Sequence, residues 1–127
     1  MLISIATPQI SETKRKRSVL ESVERVIEDA QAGQFRKLDM PTLTGILESL
    51  FAHLENYLGG QDDAIAKCRD FIANTCFRLS IPLLETTYVL YLISEVVGDQ
   101  FVNRDPEQSA RTTKFFDVLV LELLERY

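Results

Sequence analysis

A chain of 127 residues that is 46% hydrophobic and 26% charged, with a formal net charge of −5, has the size and make-up of one soluble globular domain. The acidic balance excludes general nucleic-acid binding, which draws on many uncompensated Lys and Arg side chains. No apolar run approaches the ~20 residues that span a bilayer, so no membrane partner is expected.

Residues 1–10, MLISIATPQI, read as a leader. They lack the basic n-region of a signal peptide, and a cytoplasmic location is expected. Leu2, Ile3 and Ile5 offer carbon to a core, and Pro8 stops regular structure. Residues 11–127 then read as a single helical-bundle domain. Ser11 is placed to cap a first helix running to about Ala32. Its apolar stripe is Leu20, Val23, Ile27 and Ala30, supported by Val19 and Val26, and Gly33 would end it. Phe35 would anchor the connector. Asp39 caps a second helix with Pro41 in its first turn. Leu43, Ile46, Leu47, Leu50, Phe51, Leu54 and Leu58 form its apolar face, and Gly59-Gly60 closes it.

A third helix starts near Asp62 and carries Ile65, Cys68, Phe71, Ile72, Cys76, Phe77 and Leu79. The two cysteines are eight apart, roughly 12 Å along a helix, too far for a disulfide within it. They read as reduced, buried small hydrophobes. The stretch 80–102 reads as a fourth helix, with Ser80 as N-cap and Pro82 in its first turn. It is apolar nearly all round. Such a helix is either the centre of a bundle or faces both its own core and a second subunit. Asp105, Pro106 and Gln108 make a capping-box-like start for a last helix to Tyr127. Its stripe is Phe116, Leu119, Val120, Leu123 and Tyr127, widened by Val118, Leu121 and Leu124. The expected fold is all-α, an antiparallel bundle of about five helices with a globin-like arrangement as its variant, centred on 80–102 and 106–127.

The chain holds no Ser/His/Asp set, P-loop or CxxC, so no catalytic residue is named and no enzyme is expected. His53 is the only histidine. It reads as an ordinary solvent-edge residue of the second helix, with haem ligation as the alternative. One His and two distant Cys do not make a structural metal site, and no metal or other cofactor is expected. Tyr88, Tyr91 and Glu95 share one stripe of the fourth helix. They are the candidate ligand-binding residues, and the plainer reading is a Glu95 satisfied by a neighbouring helix. Lys14–Arg17, KRKR, reads as a solvated basic face because acidic residues follow it at once.

The IPLLETTYVLYLISEVV helix and the closing FFDVLVLELLERY resemble the helical N-terminal input domains of RsbR-type stressosome proteins and of related bacterial sensors ahead of histidine kinases. The arginine often found in the middle of that family's central helix is missing; Tyr91 and Leu92 occupy the region. The resemblance implies an all-helical, dimeric, non-enzymatic regulatory module. The expected function is therefore a sensory or regulatory interaction domain that homodimerises and relays a signal to an attached or partner signalling protein. The alternative is a small-molecule or haem-binding sensor. The apolar excess on the last two helices places the dimer interface at Leu90, Val97, Phe116, Val118, Leu121 and Leu124, and Thr87 and Ser94 are small enough to let another helix approach closely.

Overall fold

The computed structural model describes residues 12–100 and 105–126. The expected leader, the Ser11 cap, residues 101–104 and Tyr127 lie outside that range. The described chain is all helical: α1 (Glu12–Glu28), a 3₁₀ turn (Phe35–Lys37), α2 (Met40–Leu58), α3 (Ala64–Arg78), α4 (Leu83–Gln100) and α5 (Pro106–Arg126). This is the expected helical bundle. The packing gives no separate support to a globin-like arrangement.

Cross-helix contacts fix the directions. Arg15 at the start of α1 meets Glu55 near the end of α2. His53 of α2 stacks obliquely on Phe71 of α3. Arg25 and Asp29 of α1 meet Glu95 and Tyr88 of α4. Along α1 and α4 the numbers rise on one helix as they fall on the other, so these two run antiparallel; the Arg15 contact ties the start of α1 to the end of α2, as it would in an antiparallel neighbour. Around the bundle the neighbours are α1, α2, α3, α5 and α4, with α4 closing back on α1 and α2 touching α5 across the middle.

The centre therefore differs in part from expectation. α5 is central, but its companion is α2, which packs on α1, α3 and α5. Leu43, Leu47, Leu50, Phe51 and Leu54 of α2 are almost completely buried. α4 packs chiefly on α1 and α5. It buries Val89, Leu90, Ile93 and Val97 and leaves Leu84 and Tyr91 open. Of the two explanations for its all-round apolarity, a central position is excluded. An outward apolar face remains.

Local chemistry explains where the helices begin and end. Asp39 accepts from the Thr42 backbone N–H and from its hydroxyl, as the N-cap of α2 should. Asp105 accepts from the N–H groups of Glu107 and Gln108 at the start of α5. The reciprocal half of that capping box is not formed, because Gln108 Oε1 is buried without a partner. At the end of α2, Gly60 adopts φ 103°. Its N–H bonds to Tyr57 O, and the Gln61 N–H bonds to Asn56 O, which is a Schellman motif. Arg111 of α5 donates to the carbonyls of Tyr57 and Leu58 and lies 5.0 Å from the Tyr57 ring centre. The last carbonyls of α2 are thus satisfied from α5.

Two boundaries fall elsewhere than expected. α1 stops at Glu28 rather than near Ala32. The Asp29 carboxylate accepts from the Gln31 N–H and from the Tyr88 hydroxyl, and the chain turns there into the 3₁₀ segment. The buried side of α1 is shifted toward the supporting Val19 and Val26. It is Val19, Ser22, Val23 and Val26, while Leu20 is largely exposed and Ala30 faces solvent. Ser80 does not cap α4. It has φ 58° and ends α3: its N–H bonds to Phe77 O, and the Ile81 N–H bonds to Cys76 O. That is a second Schellman motif with serine where glycine is usual. The Pro82 carbonyl accepts the first bond of α4, from the Thr86 N–H. A left-handed conformation costs a non-glycine residue about 1–2 kcal/mol. Ser80→Gly is therefore expected to raise unfolding stability by about 1 kcal/mol, read as a higher urea midpoint with unchanged slope.

Candidate functional site

The residues expected to form a ligand site do not converge. The Tyr88 hydroxyl donates to Asp29 Oδ2 at 2.7 Å, toward α1. Glu95 faces α1 as well, accepting from Arg25 Nη2 at 2.8 Å in a half-exposed pair. Tyr91 turns to the other side and lines the seam with α5. The plainer reading of Glu95, a carboxylate satisfied by a basic residue of a neighbouring helix, is the one the structure shows. Exposed pairs of this kind contribute little to stability.

The Tyr88–Asp29 bond moves both groups. The tyrosine hydroxyl, then the Gln31 N–H, holds the Asp29 carboxyl below its ordinary value of 3.8. The carboxylate in turn holds the Tyr88 phenol above 10.0. A depressed carboxyl stabilises the fold above its unfolded pKa, and that contribution fades as pH falls through the folded value. A raised phenol stabilises below its unfolded pKa, and that contribution fades as pH rises through the folded value. Tyr88→Phe is accordingly expected to lower the melting temperature by a constant amount between pH 5 and 9. The gap from the unmutated protein should narrow below about 4 and above about 10. Thermal melts across that range check it.

His53 Nδ1 lies 2.7 Å from the Ser49 carbonyl oxygen on its own helix, so Nδ1 carries the proton. The ring also stacks on Phe71, 5.9 Å between centres. Among the described residues no group of three or more His, Cys, Asp and Glu is placed to hold a metal ion. Cys68 and Cys76 are free and buried. Burial pushes the Cys68 thiol up to about 12 and raises Cys76 as well. Neither is a nucleophile in this setting. In the KRKR run, Arg15 reaches Glu55, and Lys14, Lys16 and Arg17 are exposed.

The feature that stands out is a surface. Leu84, Tyr91, Leu121 and Leu124 are 77%, 58%, 55% and 48% exposed. All four belong to α4 and α5. On α4 the residues Leu84, Thr87, Tyr91, Ser94 and Gly98 follow one another at helical spacing along a single stripe. Between that stripe and α5 runs a groove of about 400 Å³. Leu90 and Phe116 form its floor, and Tyr91, Leu121 and Leu124 its rims. It continues past Ser94, Phe116 and Asp117 into a smaller recess of about 100 Å³ lined by Gly98, Ser109, Thr112 and Thr113. Asp117 is the one charged residue that lines either part, among the described residues.

This surface includes part of the expected interface and corrects the rest. Leu121 and Leu124 are open on it. Leu90 and Phe116 are nearly buried within the chain and form only its floor. Val97 is fully buried in the core, and Val118 packs half-buried against that core away from the groove. Neither reaches the face. Thr87 and Ser94 lie on it, where sequence reasoning has them admitting a second helix; Leu84 was missed as a member of the face, although its spacing with Thr87 and Tyr91 was the available signal.

No family model, no curated protein and no solved structure matches this chain. Among the described residues, no helix is long and apolar enough to cross a membrane.

Proposed function

We propose that this protein is a non-enzymatic regulatory interaction domain that homodimerises through its α4–α5 face and relays a signal to an attached or partner signalling protein. The observation that carries the reading is the groove between α4 and α5, nearly free of charge and rimmed by exposed Tyr91, Leu121 and Leu124. Contiguous apolar surface of this kind marks an interaction site. The face offers projections and a recess side by side. Leu121 and Leu124 stand at the rim, and the floor over Leu90 and Phe116 is hollow. A two-fold pairing can seat the rim of one copy in the hollow of the other, and it buries both recesses with one set of residues. Thr87, Ser94 and Gly98 keep the α4 edge low enough for a helix to approach closely. The other sides of α4 and α5 pack on α1, α2 and α3, so a change in pairing bears directly on the bundle.

Light scattering after size exclusion tests the reading. A mass twice that of the 14.5 kDa chain at micromolar concentration supports it. The mass of one chain at every concentration refutes it.

A further inference from the structure

A second feature lies away from the α4–α5 groove and is independent of the dimer. Where α3 ends, α4 begins and α5 ends, the three helix ends border an apolar pocket of about 140 Å³ that is open on one side. Ile72 and Ala73 supply one wall, Leu83 and Leu123 the other two, and Ile81 of the α3–α4 connection completes it. Two polar atoms border it. The Thr86 hydroxyl donates to the Pro82 carbonyl at 2.9 Å and lies 3.4 Å from Cys76 Sγ. Its hydrogen is already engaged, and no charged side chain lines the wall. The Schellman turn at Ser80 holds Ile81 against this corner, through the Ile81 N–H bond to Cys76 O.

We infer that this pocket binds a neutral apolar molecule about the size of one six-membered carbon ring, with Phe77 closing over it. Size sets the upper limit, since a dry aliphatic cavity of about 150 Å³ takes up benzene. Chemistry sets the class. A charged or strongly hydrogen-bonding ligand would lose its water and find no partner here. Phe77 borders the pocket yet is 88% exposed, which leaves a whole ring in water beside an apolar opening. Folding that ring over an occupant removes apolar surface of both from water, so the side chain and the ligand favour each other's burial.

The test uses the whole chain with benzene as probe and benzoate as its charged counterpart, followed by the methyl carbon–proton signals of Ile72, Ile81, Leu83 and Leu123. Benzene is expected to shift these four saturably and to raise the melting temperature, and benzoate to do neither. Ala73→Leu puts carbon into the pocket and is expected to abolish the benzene shifts. Phe77→Ala alters an exposed position, leaves the fold intact and is expected to weaken benzene binding several-fold. Unsaturable shifts, shifts spread evenly over the core, equal response to benzoate, or undiminished binding by Ala73→Leu would each overturn the pocket. Unchanged affinity in Phe77→Ala would overturn the lid. A dimer that fails to form leaves all of these readouts intact.

Discussion

Phe115→Ala is expected to destabilise the fold by about 3–5 kcal/mol, the range for deleting a fully buried aromatic ring. Phe115 has no exposed surface. Its ring centre is 5.7 Å from that of Tyr57 on α2 and 5.3 Å from that of Phe116, which it meets edge-on. It therefore sits where the two central helices cross, and the cavity left by alanine has rigid walls. Arg111, one turn earlier, is bonded to the end of α2 and lies over the same Tyr57 ring, so the neighbouring backbone has little freedom to collapse into the gap. A loss of this size is a large part of the roughly 5–15 kcal/mol that holds a domain folded. Urea titration followed by circular dichroism measures it. A change below about 1 kcal/mol would mean that α2 and α5 do not meet as described.

Leu121→Glu is expected to dissociate the proposed homodimer while leaving each bundle folded. Leu121 is more than half exposed in the single chain, so glutamate there stays hydrated in the monomer and costs it about 0.5 kcal/mol or less. In the paired state the same carboxylate would enter an apolar hollow close to Asp117, without a counter-charge. Roughly 3 kcal/mol of lost pairing, about a hundredfold in dissociation constant, is the least that such desolvation should cost. Light scattering gives the mass and circular dichroism the helical content. The choice of residue decides the value of the test. Val97 has no exposed surface, and a charge there would unfold the monomer and say nothing about the interface. A Leu121→Glu chain that remains dimeric would move the interface off the α4–α5 face.

Much of the fold was legible because helix starts are governed by local chemistry. Asp39 with Pro41 and Asp105 with Pro106 announce α2 and α5, and both caps form. What escaped was set by distant partners or by conformation. Asp29 looks like another residue of a helical stripe, but Tyr88, 59 positions away, draws its carboxylate out of α1. Ser80 has the hydroxyl of an N-cap, and only its positive φ shows that it closes the preceding helix. The stripe on α1 was misplaced because Ser22, a polar residue, is fully buried while Leu20 is not.

The candidate site was legible as an apolar excess and not as a surface. Periodicity shows that Leu90, Val97, Phe116, Leu121 and Leu124 are apolar on wide helix faces. It cannot rank them, because which face is covered depends on the neighbours of α4. Those proved to be α1 and α5, leaving one side open. Tyr88, Tyr91 and Glu95 share a stripe in sequence. Partners on α1 drew Tyr88 and Glu95 one way, while Tyr91 lies on the seam with α5.

The most direct test of self-pairing through this face is an isotope-filtered nuclear Overhauser measurement on an equal mixture of labelled and unlabelled chain. Contacts between copies are expected from the methyl groups of Leu121 and Leu124 to the Tyr91 ring or the Leu84 methyls. No contacts between copies, or contacts confined to residues of α2 and α3, would contradict the account.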